Sequence, residues 1–453
     1  MTVALVGGCL IVLYAFLSTI DQKIAIAALG AGILFLWMWY DIRIGLWLLL
    51  FSVLAGQLVR FSFGGGAILL SDGVIGILLV VWVANILIRK RVFRSNLLWW
   101  GLVFFWLISF LINMWVVPQY GADKMVDIWL YWIRLVMYST CLPITWSIVE
   151  WYGESKRYLW WFLWMGVIFL ALGFLQLIIF PDISFLTEFG WDPHVGRLLS
   201  TFLDPNFAGA ILLLFFATSF SFYFHYREWT FQKLSWAVLS GLFLLGIVLT
   251  LSRSAYVALA VIFSVMAYKF DKRLLLMGGL LALLILVNSP RIEERVQGIF
   301  KVDNTAQLRL ESWEDSLAIA EDNLWTGVGY NALAIEQLRR GIIVDTNVHS
   351  AGGSDSSYLT VWSTMGLFGL LSFAFILVVY FGIIYYSYWK EKKDWEYKYF
   401  LLGSLMGILG VMIHAQFTNS LFYVHILIPV WFLMGLAMGW KTSFEDQGSS
   451  NKY

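Results

Sequence analysis

The chain has 453 residues, of which 60% are hydrophobic and only 13% are charged, and its formal net charge is +1. Soluble domains carry about 25% charged residues, so this composition excludes a soluble globular protein and indicates a polytopic membrane protein. The near-zero net charge gives no support to nucleic-acid binding. The two cysteines, Cys9 and Cys141, lie in apolar stretches, which favours inert packing over a disulfide or a metal site.

Apolar runs that meet or approach the length of about 20 residues needed to cross a bilayer occur along the whole chain. They lie near residues 3–20, 23–40, 43–60, 70–88, 97–117, 126–149, 157–180, 205–225, 233–251, 254–269, 273–288, 356–388, 396–415 and 419–440. As an alternative to full spans, the short runs form tilted, broken or re-entrant helices. The pattern therefore predicts an all-α membrane helix bundle of about 12–14 spans.

The predicted organisation has four parts. They are N-terminal membrane helices at 1–288, an extracytoplasmic loop subdomain at 289–355, C-terminal membrane helices at 356–440 and a cytoplasmic tail at 441–453, which we expect to be disordered over its last ten residues. The segment 289–355 is too long for a structureless connector in a compact protein. It includes a predicted helix with one apolar face, formed by Leu310, Trp313, Leu317 and Ala320.

Lysine and arginine are concentrated in alternate connections, which predicts the orientation of the chain. The basic connections lie around residues 89–94, 156–157, 227–233, 269–273 and 390–393. Because short basic loops stay in the cytoplasm, we expect both termini inside and the large loop outside, in a multi-pass protein of the cytoplasmic (inner) membrane.

Three arginines lie on the predicted outer face, namely Arg197, Arg253 and Arg309. The guanidinium group is a permanently charged planar fork of donors, suited to bidentate contacts with phosphate. The alternative for each is a structural role, in which it snorkels to lipid headgroups or pairs with a nearby acid. Arg253 is the strongest candidate, because it lies in a very short predicted loop with small neighbours and no acid close in sequence.

Within the run 126–149, Asp127 and Arg134 lie on one helix face. An ionisable residue inside a span is a functional candidate, and a structural Asp127–Arg134 contact is the equal alternative. His414 also lies in a span, where hydrogen bonding between helices is the more common role of a histidine.

The polar stretch before the run 356–388 includes His349 and Asp355. His349 has a suitable unperturbed pKa for a general base, whereas Asp355 needs help from desolvation. Ser354 or Asp355 is alternatively a cap of the helix that follows. Upstream, Asp204, Pro205 and Asn206 predict the start of a helix with proline in its first turn.

Four motifs occur in a characteristic order: RLLSTFLDPNFAGA, TLSRSAYVAL, RLESWEDSLAIAEDNLWTGVGYNAL and SDSSYLTVWSTMGLFGLL. With this order and spacing, residues 195–375 resemble the bacterial O-antigen ligase and O-antigen polymerase family. The resemblance implies a metal-independent, inverting glycosyltransferase without a cofactor. It also implies a polyprenyl-diphosphate-linked glycan as donor and a glycan or a lipid-linked acceptor, with membrane lipid and a chain-length regulator as further partners.

The resemblance implies roles for individual residues. Arg253 and Arg309 match arginines that hold the diphosphate, with Arg197 as a third candidate. The family usually has a His-Asn-x-Tyr-Leu element at the start of the helix after the loop, and Asp355 replaces its histidine here, whereas Tyr358 matches its tyrosine. The base is therefore either His349 or Asp355, and Arg134, Asp127 and Tyr358 are additional candidates.

Polymerase and ligase differ in the acceptor, and the departure at Asp355 favours a polymerase. A transporter or flippase of the same lipid-linked glycan is the rival of a different class. It predicts internal repeats and functional charges near the membrane midplane, whereas most candidate charges here lie on one predicted face.

Overall fold

The computed structural model describes residues 22–63, 66–226, 228–289, 291–293, 297, 304–343 and 353–450. Most of them are helical, as the apolar runs predict. The helices are α1 (Gln22–Tyr40), α2 (Arg43–Ala55), α3 (Leu70–Leu87), α4 (Leu97–Val116), α5 (Ala122–Ser139), α6 (Cys141–Tyr152), α7 (Ser155–Ile179), α8 (Pro205–Tyr223), α9 (Phe231–Leu249), α10 (Arg253–Phe270), α11 (Arg273–Asn288), α12 (Asn304–Asp322), α13 (Leu333–Arg339), α14 (Ser357–Lys390), α15 (Trp395–His414) and α16 (Val424–Ser450).

Among the described residues, nine helical segments are long and apolar enough to cross a membrane, and four further apolar helical segments are shorter. Their apolar side chains satisfy both requirements of a bilayer, because a helix bonds its own backbone and presents hydrocarbon to lipid. The all-α, multi-pass membrane architecture is thereby confirmed. The run 3–20 lies outside the described residues.

The predicted run 43–60 is shorter than expected as a helix. The helix α2 ends at Ala55, and the chain continues into a small antiparallel hairpin of β1 (Arg60–Phe63) and β2 (Gly66–Leu69). Gly56 adopts a positive φ of 57° and allows the chain to turn there. The hairpin lies at the same end of the bundle as the candidate site.

The predicted run 126–149 lies within one candidate span, Ala122–Tyr152, whose helix is interrupted at Thr140. The amphipathic α5 ends at Ser139 and the buried α6 begins at Cys141. Pro143 in the first turn of α6 has no N–H to donate to the preceding turn, so an uninterrupted helix is disfavoured there.

The run 356–388 is also interrupted, because Gly366 in α14 has non-helical torsions with φ 60° and ψ −166°. The loop segment 324–329 fills this break. The amide nitrogens of Val328 and Gly329 donate to the carbonyls of Ser363 and Thr364 at 2.9 and 2.8 Å. In return, the amide of Leu367 donates to the carbonyl of Leu324 at 2.9 Å. The loop thus satisfies backbone groups that the broken helix leaves free.

A second small core joins the loop subdomain to the end of α4 and to α5, and it is formed by Val117, Ile128, Ile319, Val328, Ala332 and Leu333. The buried face of α12 agrees only in part with the predicted face. Ala320 is buried and Trp313 is half-buried, whereas Leu310 and Leu317 are exposed and Ser316 and Ile319 are buried instead. Small side chains allow α12 to approach its neighbours closely, which the apolar pattern alone does not reveal.

The two ends of the bundle differ in charge. At one end, the basic connections are joined by ion pairs such as Arg43–Glu154 at 2.7 Å, Arg94–Glu150 at 2.9 Å and Lys156–Glu396. At the other end, the loops after α2, α7, α9 and α15 meet the subdomain, and we call this the loop end. The helix α16 continues to Ser450, into the segment predicted as a disordered tail, which corrects that expectation.

Candidate functional site

A chain of hydrogen bonds ties the short turn before α10 to three other elements at the loop end. Ser252 Oγ donates to Asn206 Oδ1 at 2.8 Å and lies 3.1 Å from Ser254 Oγ. Ser254 Oγ lies 2.9 Å from His414 Nε2, and His414 Nδ1 lies 2.7 Å from Ser420 Oγ. His414 is therefore hydrogen-bonded between elements, as the sequence predicts. The chain fixes the position of Arg253, the residue between the two serines.

The start of α8 builds one side of this arrangement. Asp204 caps the helix by accepting from the amides of Asn206 and Phe207 at 2.7 and 3.1 Å, and Pro205 follows in the first turn. The predicted helix start is confirmed. The cap holds Asn206 at the surface of α8, where its side chain meets Ser252.

Arg197 lies against the same turn but contacts backbone atoms. Its Nε donates to the carbonyl of Thr250 at 2.9 Å, and one terminal nitrogen donates to that of Leu251 at 3.2 Å. These carbonyls follow the last turn of α9, where helices leave acceptors without partners. The geometry supports the structural alternative for Arg197 and places its charge beside the turn of Arg253.

The second part of the site joins α12 to the segment before α14. Arg309 Nε lies 4.0 Å from Asp355 Oδ2. The backbone of Asp355 is held as well, since its amide donates to Ser312 Oγ at 3.3 Å and its carbonyl accepts from Trp313 Nε1 at 3.1 Å. These contacts position the carboxylate independently of its charge.

The cap of α14 corrects a prediction. Neither Ser354 nor Asp355 caps this helix, because Ser356 is the N-cap and its Oγ accepts from the amide of Leu359 at 3.4 Å. Asp355 lies one residue too early in the chain to reach the first amides of the helix. Its carboxylate is thus available to Arg309 and to a ligand.

The electrostatics of this cluster favour a basic carboxylate. Burial raises the pKa of Asp355, the charge of Arg309 lowers it, and Asp192 raises it again. Burial also raises the pKa of Asp204, while its amide bonds and Arg197 lower it and Asp192 raises it. The charge of Arg309 acts electrostatically on His414. Because His414 also contacts Ser254, Arg309 and the turn of Arg253 lie in the same region of the molecule.

Arg134 pairs with a residue that the sequence pattern does not single out. Its Nε and one terminal nitrogen donate to the two carboxylate oxygens of Asp72 at 2.9 and 2.6 Å, and Tyr138 donates to the same carboxylate. Asp127 is exposed, so the predicted Asp127–Arg134 contact is wrong. The packing of α3 against α5, which a linear pattern does not reveal, brings Asp72 to Arg134.

The remaining candidates have simpler outcomes. Tyr358 donates from its hydroxyl to the carbonyl of Met412 at 2.8 Å, which joins α14 to α15. His349 lies outside the described residues. Asp72, Asp192 and Asp204 are the acids that sequence reasoning missed as partners. The only signal for them is their position beside the helix starts and loops of the predicted outer face.

Comparison with known proteins agrees with the motif order. The family model of the O-antigen ligase matches residues 237–374, a region that includes Arg253, Arg309 and Asp355. No curated protein matches the chain. Residues 237–374 of this multi-pass membrane protein are therefore similar to the O-antigen ligase family.

Proposed function

We propose that this protein is a membrane glycosyltransferase that transfers or polymerises polyprenyl-diphosphate-linked oligosaccharide on the outer face of the cytoplasmic membrane. The observation that carries the proposal is the contact between Arg309 and Asp355 at the loop end. It places a carboxylate of raised pKa beside a guanidinium group. A base and a phosphate-binding cation are the two groups that such a transfer needs.

The proposed reaction is a single displacement. The hydroxyl oxygen of the acceptor attacks the anomeric carbon of the donor, the bond from that carbon to the diphosphate breaks, and polyprenyl diphosphate leaves. Arg253 and Arg309 stabilise the charge that develops on the leaving oxygen. Asp355 accepts the proton of the acceptor hydroxyl, with His349 as the rival base. The anomeric configuration inverts, and the two arginines supply the positive charge without a metal.

The orientation follows from the charged ends of the bundle. The loops rich in Lys and Arg gather at the end opposite to the site, where they form ion pairs. Because such loops remain in the cytoplasm, we place the loop end and its subdomain outside. The acceptor is a second lipid-linked glycan in a polymerase and a finished lipid core in a ligase. The replacement of the family's usual histidine by Asp355 favours the polymerase.

The decisive experiment uses the purified chain in liposomes with polyprenyl-diphosphate oligosaccharide and an acceptor glycan. We expect a lengthened acceptor and an equal amount of released polyprenyl diphosphate. Arg253→Ala and Arg309→Ala should each reduce the rate by a factor of about 10² or more.

Arg339→Ala is the matched control, because this arginine is 67% exposed on the same subdomain. Wild-type rates in both of the first two variants would remove these arginines from the mechanism. Movement of intact lipid-linked glycan across the membrane, without release of the carrier, would indicate a transporter instead.

A further inference from the structure

A cavity with a volume of about 250 Å³ lies at the loop end. Its walls come from four separate parts of the chain: the β-hairpin region, α5, the loop subdomain and the start of α16. Its polar and aromatic side chains include Gln57, Tyr131, Arg134, Tyr138, Tyr330 and Tyr423. We propose that this cavity binds a sugar of the acceptor glycan, an inference that rests on the proposed function.

The walls combine phenol rings with two cationic side chains, Arg60 and Arg134, a combination that fits a sugar. Arg134 reaches the cavity, but its charge is balanced by the two-point contact with Asp72. Tyr131 lies under the same guanidinium, with 5.3 Å from the Arg134 Cζ to the ring centroid. Phenol rings offer apolar faces and a polar edge, and a saccharide likewise combines C–H faces with hydroxyl groups. Apolar walls with a few placed polar groups are typical of small-molecule sites.

Several of these walls are rigidly held, as a specific site requires. The amide of Tyr330 donates to Asn113 Oδ1 of α4 at 2.7 Å, which fixes the loop subdomain over the cavity. The side-chain Nε2 of Gln57 donates to the hydroxyl of Tyr423 at 3.0 Å. The backbone N–H of Gln57 donates to the carbonyl of Thr201 at 2.9 Å. Tyr330 thus places the subdomain that carries Arg309 in the wall of the cavity.

The position of the cavity relative to the arginines favours the acceptor over the donor. Tyr423 stacks on Phe207 with a centroid distance of 3.9 Å. Asn206, which precedes Phe207 in α8, accepts a hydrogen bond from Ser252, the residue before Arg253. One aromatic layer thus separates the cavity from the turn of Arg253. In an inverting displacement the nucleophile and the leaving group lie on opposite sides of the anomeric carbon. The reacting sugar of the donor is bonded to the diphosphate and has to lie against the arginines, so a cavity separated from them by this layer suits a sugar of the acceptor glycan.

The test measures the binding of two separate probes to the purified full chain in nanodiscs. One probe is the free oligosaccharide that mild acid releases from the lipid-linked glycan of the source cells. The other probe is polyprenyl diphosphate without sugar. We expect Tyr131→Ala and Gln57→Ala to raise the Kd of the oligosaccharide about tenfold or more, a loss of about 1.4 kcal/mol. The Kd of polyprenyl diphosphate should stay within about a factor of two.

Two further variants test whether the change in affinity arises in the cavity. Tyr131→Phe removes only a hydroxyl group from a ring that is 39% exposed, so the fold is retained while hydrogen bonding to the sugar is lost. Tyr385→Ala is the matched control, because this tyrosine is 60% exposed on α14 and does not line the cavity. In the transfer assay, the cavity variants should raise KM for the acceptor and leave kcat at saturating acceptor unchanged.

The outcomes separate this inference from the proposed function. Wild-type affinity for the oligosaccharide in both cavity variants, or no binding of it to the wild type, overturns the inference. An equal loss of affinity for polyprenyl diphosphate in those variants also overturns the inference and assigns the cavity to the lipid carrier. If Arg253→Ala and Arg309→Ala bind polyprenyl diphosphate like the wild type, the proposed function fails while the sugar-binding result still stands.

Discussion

The guanidinium of Arg309 lies 4.0 Å from the carboxylate of Asp355, although 46 positions separate the two residues in the chain. Asp355 stands immediately before the N-cap of α14, and Arg309 lies in the first turns of α12. The contact forms because α12 docks through small residues and because Ser356, rather than Asp355, caps the next helix. Because the carboxylate of Asp355 does not cap the helix and lies beside a cation, it can serve as the proton acceptor in the proposed transfer.

Asp355→Asn should reduce the rate of glycan transfer by a factor of about 10²–10⁴, because the amide cannot accept the proton of the acceptor hydroxyl. The fold should persist, since the backbone contacts of Asp355 with Ser312 and Trp313 do not need the charge. Initial rates at saturating donor and acceptor measure the effect. Asp123→Asn, at an exposed position of α5, is the control. A normal rate in Asp355→Asn, together with an inactive His349→Ala, would assign the base to His349.

Transfer should depend on pH through Asp355. The carboxylate is the active form, and burial raises its pKa, so kcat/KM should fall as the pH drops through a value above the ordinary aspartate pKa of about 3.9. Asp192 contributes to this raised pKa. Asp192→Asn should therefore lower the pKa of Asp355 and move the acid limb of the profile to lower pH.

Glu188→Gln is the matched control for the pH profile, because Glu188 is exposed in the same connection between α7 and α8. Its acid limb should coincide with that of the wild type. An acid limb that stays in place in Asp192→Asn would argue that a group other than Asp355 titrates.

Breaking the pair of Asp72 and Arg134 should destabilise the protein. The side chains are only 14% and 21% exposed, so Asp72→Ala leaves a largely buried guanidinium without its counter-charge, at a cost of about 3 kcal/mol. The thermal midpoint of the purified protein should fall by several degrees. The double variant Asp72→Leu with Arg134→Met should recover most of this loss.

The exposed pair of Lys156 and Glu396, with exposed fractions of 65% and 44%, provides the comparison. Lys156→Ala should change the midpoint little, because solvent-exposed ion pairs contribute at most about 1 kcal/mol. An equally small effect of Asp72→Ala would show that water already solvates Arg134.

Gly366→Ala should destabilise the docking of the loop segment 324–329 by about 2 kcal/mol or more. A Cβ at Gly366 would lie 2.2 Å from the carbonyl of Trp325, and the φ of 60° is itself unfavourable for alanine. Limited proteolysis of the subdomain and the thermal midpoint measure the change. Gly382→Ala in the same helix is the control, because a Cβ there would meet no described atom within 4 Å. Equal protease resistance in the two variants would contradict the close approach.

Much of the membrane architecture follows from local pattern. The helices α3, α4 and α7 begin and end within about two or three residues of the predicted apolar runs, because a span must hold a minimum number of apolar residues in sequence. The helix start at Asp204 and Pro205 is equally local, since a cap depends on residues two or three positions apart. The importance of Arg253 and Arg309 follows from motif order and remains a proposal.

The contacts that build the candidate site depend on distances that no local pattern includes. Asp72 rather than Asp127 meets Arg134 because α3 packs against the face of α5 that carries Arg134, whereas Asp127 is exposed. Likewise, α14 breaks at Gly366 because a distant loop supplies the missing hydrogen bonds. Periodicity reports which faces of a helix are apolar, and it carries no information on which partner occupies a face. Only the packing of the bundle decides that partner, through crossing angles and the need to satisfy each buried polar group.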